Sequence, residues 1–199
     1  IPVIAPVSSD CNLDIKRLDE CISKNTKALI VIHMRGYPCD FRDIIPKFKS
    51  LNIPIIEDCS QCCGGMIDGQ RVGHLGDYST MSFQYNKMIT AGEGGAIMMN
   101  DKESHEKCVR FHNLGMDRKV GEDPTKTNDP IGPGSIVSVG LNYRMSEITA
   151  SVALAQLKKI KKIISGCKSN WDKALKMLEP MIEKGLIIQR NSQKESIKR

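Results

Sequence analysis

Residues 53–61 read IPIIEDCSQ, and the fold turns on whether IPII is a buried strand. An apolar run this short, closed by two consecutive carboxylates, reads as strand rather than helix. Upstream, ALIVIH at 28–33 is almost uninterruptedly apolar and ends at the turn residues Gly36 and Pro38. Such a run reads as a strand covered on both faces. Between the two, DFRDIIPKFKSL at 40–51 reads as a helix in which Pro46 marks the first turn or a kink. Earlier still, DIKRLDECI at 14–22 sets Ile15, Leu18 and Ile22 on one helical face, with Asn12 or Asp14 to cap it.

The alternation continues downstream. YSTMSF at 78–83 and GAIMMN at 95–100 read as strands, and DKESHEKCVRFHNLG at 101–115 as a helix closed by Gly115. Strands alternating with helices are the signature of an α/β fold with a mainly parallel sheet. Residues 117–140, polar and rich in Pro and Gly, read as a long loop, of the kind that is usually functional or mobile. A long amphipathic helix is expected from Ser146 to Ile164 and a second over about 169–184.

A chain of 199 residues that is 40% hydrophobic and 26% charged can bury one good core. It contains no apolar run of membrane-spanning length, and residues 1–9 do not resemble a secretory signal, so a cytoplasmic location is the expectation. The eight cysteines are scattered through strands and helices, which fits reduced thiols rather than a disulfide scaffold. Much of the net charge of +6 comes from Lys158, Lys159, Lys161, Lys162, Lys168 and a tail ending KESIKR. These lysines interleave with Ile160, Ile163 and Ile164 but not with aromatics, so a solvated helix face is favoured over nucleic-acid binding. With no initiator Met and an abrupt basic end, the chain reads as a fragment.

In open α/β sheets ligands sit beyond the carboxyl ends of the strands, where Glu57 and Asp58 stand. Successive strand residues point to opposite faces, so one of the two should face a site. An acid there can bind a metal, act as a base, or pair with a protonated ring nitrogen; a strand end reaching solvent or a structural salt bridge is the plainer alternative. Gln61, Gly64 and Gly65 follow. Further on, residues 82–95 read SFQYNKMITAGEGG, with Lys87 between a strand and a glycine-rich turn and the Ser82 hydroxyl five residues before it. A lysine held in place there can, when deprotonated, form a Schiff base with an aldehyde. Pyridoxal phosphate carries such an aldehyde, and it also needs a carboxylate for its ring nitrogen and hydroxyls for its phosphate, which Asp58 and Ser82 can supply.

Three stretches, IPIIEDCSQCCGG, DGQRVGHLGDYSTMSFQYNKMITAGEGGAIMMND and GLNYRMSEITASVALAQLKKI, resemble the DegT/DnrJ/EryC1/StrS family of sugar aminotransferases. The resemblance runs from about Ile4 to Ile164. It implies a truncated three-layer α/β/α large domain of the pyridoxal-phosphate-dependent transferase type over 1–165, with 166–199 the helical start of a smaller C-terminal domain. It further implies that Lys87 holds the cofactor and moves protons, Asp58 pairs with the pyridinium, Gln61 lies near the ring and its oxygen, and Ser82 binds the phosphate. Asn142 of GLNYR matches an asparagine that reaches the phosphate of a neighbouring subunit, which makes a homodimer the expected assembly; Arg144, its companion, takes no assigned role. Some relatives carry histidine at the lysine position and dehydrate their substrate, so Lys87 favours transamination, from glutamate or glutamine to a nucleotide-linked keto-sugar. At 59–63, CSQCC departs from the small residues and histidine usual in the family.

Other readings stand beside this one. A non-catalytic binding protein can keep the same fold. Cys59, Cys62, Cys63 and His74 can be read as a metal site, although the CxxC spacing occurs without a second pair. A desulfurase-like cysteine nucleophile needs a mobile loop cysteine, and none stands in a convincing context. His33, closing a strand, reads as a satisfied core or site-wall histidine rather than a ligand; Tyr85 and Asn86 as pocket or loop packing; Trp171 as core or interface.

Overall fold

The computed structural model describes residues 1–117 and 136–188. The loop expected over 117–140 therefore lies largely outside the described residues. The chain divides into two compact units, Ile1–Met98 with Ile148–Arg199, and Met99–Glu147.

In the first unit, Ile15–Cys21 forms a 3₁₀ helix rather than an α-helix, with Asp14 as its N-cap accepting from the Lys16 N–H. Strand β1 (Leu29–Ile32) is followed by a short 3₁₀ turn at Arg42–Ile44 that runs into helix α1 (Ile45–Ser50). Pro46 falls in the first turn of α1, where a missing N–H costs nothing. Strand β2 (Ile55–Asp58) pairs in parallel with β1, Leu29 opposite Ile55 and Ile32 opposite Asp58. Strands β3 (Met66–Ile67) and β4 (Gln70–Arg71) form a small antiparallel hairpin turned by Asp68 and Gly69, both at positive φ. Strand β5 (Tyr78–Ser82) pairs in parallel with β2, and β6 (Gly95–Met99) completes the sheet in the order β1-β2-β5-β6.

One face of this sheet is well covered. Leu29, Val31 and Ile55 pack there with Leu18, Phe41 and Phe48, and both phenylalanines are fully buried. Each buried side chain of that size contributes about 1.5–3 kcal/mol of transfer free energy. The opposite face is open: Ile30, Ile32 and Ile97 keep 59%, 43% and 58% of their surface exposed. The apolar run of β1 predicts cover on both sides, and among the described residues only one side receives it. The apolar outward residues have the composition of a middle layer, but the second outer layer is not supplied by these segments.

Helix α2 (Lys102–His112), in the second unit, starts on an Asp101 cap that accepts from the N–H groups of Glu103 and Ser104. Helices α3 (Glu147–Leu157) and α4 (Ile160–Glu183) replace the expected pair over 146–164 and 169–184. The break falls at Lys158 and Lys159, and the expected gap over 165–168 lies inside a continuous helix. Residue 165, the expected end of the large domain, likewise lies within α4. Helix α4 packs on the loops that leave β1 and β2: Trp171 meets Tyr37 edge-on at 6.4 Å, and Ile164 fills the space beside Gly64. Among the described residues no helix is long and apolar enough to cross a membrane.

The loop before β5 fits tightly beneath β2. A Cβ on Gly76 would lie 2.8 Å from the Ile55 carbonyl oxygen and 3.2 Å from Glu57 Cγ. Backbone cannot yield there as a flexible side chain would, so Gly76→Ala is expected to destabilise the protein by about 1–3 kcal/mol. A urea midpoint equal to that of the wild type would show that the loop can move away from the strand.

Candidate active site

The two carboxylates that close β2 have opposite fates. Glu57 is fully buried on the covered face, and Asp58, half-buried, points to the open one. Glu57 accepts N–H groups from Gly73 at 2.7 Å, Leu75 at 2.8 Å and Gly76 at 2.7 Å, and its Oε2 lies 3.0 Å from His33 Nε2. His33 Nδ1 accepts the Cys39 N–H at 3.0 Å, so the ring proton must sit on Nε2 and is donated to Glu57. Burial pushes the Glu57 carboxyl up, but the His33 hydrogen bond and the three backbone donors outweigh it and hold the group below the usual carboxylate range. His33 is thus a satisfied core histidine, as its place at the end of an apolar run suggests.

Asp58 stands at the carboxyl end of β2, opposite Ile32 on one side and Thr80 on the other. Its Oδ1 accepts the Ser60 N–H at 2.9 Å, and its Oδ2 has no hydrogen-bond partner among the described residues. Ser82, two residues beyond Thr80 on β5, projects to the same face by strand alternation. Its Oγ accepts the Gln84 N–H at 3.3 Å, which leaves its proton available to a ligand.

Lys87 lies in the turn that leaves β5. Its N–H bonds Gln84 O at 2.9 Å, Asn86 N–H bonds Gln84 Oε1 at 3.0 Å, and the loop closes through Ala91 N–H to Phe83 O at 2.9 Å. Ile89, buried to 3% exposure, anchors the segment. The Lys87 amine, on a half-buried side chain, has neither an ion pair nor a hydrogen bond among the described residues. Asp58, Ser82 and Lys87 therefore gather at one end of two neighbouring parallel strands, two groups on the open face and the third in the adjoining loop.

Gln61 is exposed, and its Oε1 accepts the Arg35 N–H at 3.2 Å, tying the loops after β1 and β2 together. Tyr85 and Asn86 are exposed. Asn142 and Arg144 belong to the second unit. There Asn142 pairs with Asn113 as an isolated bridge, and Arg144 Nη1 donates to Asn113 Oδ1 at 2.9 Å, so Arg144 serves to join two segments of that unit.

The cysteine cluster does not form the metal site that its spacing allows. Among the described residues, the one group of ligand-type side chains close enough for an ion is His33, Glu57 and Cys59, not Cys59, Cys62, Cys63 and His74. Both nitrogens of that histidine are already bonded. Burial first, and the Glu57 charge second, push the Cys59 thiol up to about 12, so it is neither a ready thiolate ligand nor a nucleophile.

A sequence profile of the DegT/DnrJ/EryC1/StrS aminotransferase family matches residues 1–196. The chain is 36% identical over 155 residues to the GDP-perosamine synthase of Escherichia coli O157:H7, covering 77% of this chain and 39% of that protein. Among solved structures, an aminotransferase from Psychrobacter cryohalolentis superposes with a TM-score of 0.83 at 27% identity, over 92% of this chain and 47% of the other. The E. coli GDP-4-keto-6-deoxy-D-mannose-3-dehydratase with bound hydrated PLP superposes with a TM-score of 0.78 at 25% identity, over 88% and 46% of the two chains. This chain spans less than half the length of each of these relatives.

Proposed function

This chain belongs to the DegT/DnrJ/EryC1/StrS aminotransferase family, and from that premise we propose that it is part of a cytoplasmic, pyridoxal-phosphate-dependent sugar aminotransferase. The amino group would pass from glutamate or glutamine to a nucleotide-linked keto-sugar. The observation that carries the reading is the set of free groups at the ends of β2 and β5. Asp58 Oδ2 and the Lys87 amine lack partners among the described residues, and Ser82 retains a hydroxyl proton. A carboxylate, an amine and a hydroxyl are the groups that a cationic ring nitrogen, an aldehyde and a phosphate require, so the residues fit the cofactor.

When bound, pyridoxal phosphate supplies an aldehyde and an electron-withdrawing ring that stabilises negative charge on the substrate carbon. Lys87 would hold the aldehyde, and its amine would serve as the base for the α-carbon proton of the amino donor. Asp58 keeps the ring nitrogen protonated, because an opposite charge within a few ångströms favours the cationic form. Ser82 would donate to a phosphate oxygen, and Gln61 would lie beside the ring. Lysine rather than histidine at position 87 favours amino transfer over dehydration. The reading also includes a large domain ending at residue 165, a smaller one beginning at 166, and a homodimer in which Asn142 reaches the neighbouring subunit's phosphate.

The test is to add pyridoxal phosphate to the complete protein, reduce with borohydride and map the modified peptide by mass spectrometry. An adduct on Lys87, together with amino transfer to a nucleotide-linked keto-sugar, is expected. A folded protein that binds no cofactor would leave a non-catalytic homologue of the same fold as the better description. Asp58→Asn is expected to retain some cofactor but lose about 10²-fold or more in turnover, checked by steady-state kinetics.

A further inference from the structure

The buried pair behind Asp58 is more heavily tied than strand register requires. His33 is bound to β2 twice, through its own N–H to the Asp58 carbonyl oxygen at 3.1 Å and through Nε2–H to Glu57 at 3.0 Å. The Cys39 N–H anchors the other side of the ring. On the far side of β2, the Cys59 N–H bonds Thr80 O at 3.0 Å. Glu57 itself is held by three N–H groups of the loop Gly73–Gly76. Regular ladder bonds already set the register of β1, β2 and β5. Four donors on one carboxylate therefore do something besides aligning strands.

We propose that His33 and Glu57 form a positioning pair that fixes the direction of the Asp58 carboxylate, and so governs how firmly that carboxylate holds a cationic ring nitrogen. The inference rests on the reading of Asp58 as the acidic partner of the cofactor. Neighbouring side chains on a strand point to opposite faces, so a Glu57 that cannot turn holds the backbone that aims Asp58 outward. Asp58 has only the Ser60 N–H to steady it on its own face. Its orientation must come from behind, and His33 and Glu57 are the groups in place to give it. Neither touches the cofactor's side of the sheet, so both act through their neighbour.

A double-mutant cycle on pyridoxal phosphate affinity separates this role from a purely structural one. Glu57→Gln and Asp58→Asn are made singly and together in the complete protein, and the dissociation constant and absorbance maximum of bound pyridoxal phosphate are measured. Glu57→Gln is expected to weaken binding about tenfold when Asp58 is present and less than about twofold when it is asparagine. Its absorbance maximum should also move toward that of Asp58→Asn. Equal weakening in both backgrounds, with an unmoved spectrum, would overturn the positioning role while leaving the cofactor site intact. A wild-type protein that binds no pyridoxal phosphate would overturn both. Should Glu57→Gln fail to fold, His33→Gln takes its place in the same cycle, with the same two outcomes.

Discussion

Lys87→Ala is expected to abolish the borohydride-trapped adduct and to lower amino transfer by about a thousandfold or more, while leaving the fold unchanged. The two halves of this expectation have separate causes. Removing the amine removes the group that holds the aldehyde and moves the α-proton, and loss of a positioned acid–base group alone is worth about 10²–10⁴ in rate. Stability should move by no more than about 0.5 kcal/mol, because the Lys87 amine has no partner among the described residues and the turn is fixed by backbone groups. Gln84 O, Phe83 O and the Gln84 side chain hold that turn whatever stands at position 87. The measurements are mass mapping of the reduced protein, turnover with a nucleotide-linked keto-sugar, and a thermal melt. Normal turnover in the variant would end this mechanism. Lost turnover with a collapsed melt would instead show that the lysine is structural.

The contrast between Lys87 and Glu57 shows what the sequence could and could not disclose. Four main strands, and the parallel order of β1, β2 and β5, follow from apolar runs of strand length, because buried strands need no polar face. Alternation also says that one of Glu57 and Asp58 must face inward. Which one does so depends on Gly73, Leu75 and Gly76, loop residues 16 to 19 positions away whose N–H groups converge only after folding. The β3–β4 hairpin had a local signal, Asp-Gly between Ile67 and Gln70, but its strands are only two residues long, too short for an apolar alternation to mark. The break between α3 and α4 had no such signal. Lys158 and Lys159 are good helix formers, and Gly166 is tolerated within α4. The open sheet face was illegible for another reason: apolar residues such as Ile30 and Ile32 report that a surface is built to be covered, not which segment covers it.

Glu57→Gln should be the most destabilising conservative change in the described chain, lowering stability at neutral pH by about 3–5 kcal/mol. The amide keeps the shape of the side chain but replaces one acceptor oxygen with a donor, in a place where Gly73, Leu75, Gly76 and His33 all present hydrogens. At least one buried N–H is then unpaired and another is opposed by an N–H, in a site closed to bulk solvent. The same bonds make the wild type acid-sensitive. The Glu57 carboxyl is held below its unfolded value of about 4.3, so its contribution is complete above that pH and is lost as pH falls through the folded-state value. Urea unfolding of the wild type should therefore show stability falling steeply below about pH 4. Glu57→Gln, which has no proton to gain there, should start lower at pH 7 and show a shallower acid limb. Parallel acid limbs for the two proteins would mean that other carboxylates carry the sensitivity. An equal midpoint at pH 7 would mean that the loop Gly73–Gly76 finds other acceptors, and the network would then be dispensable for folding.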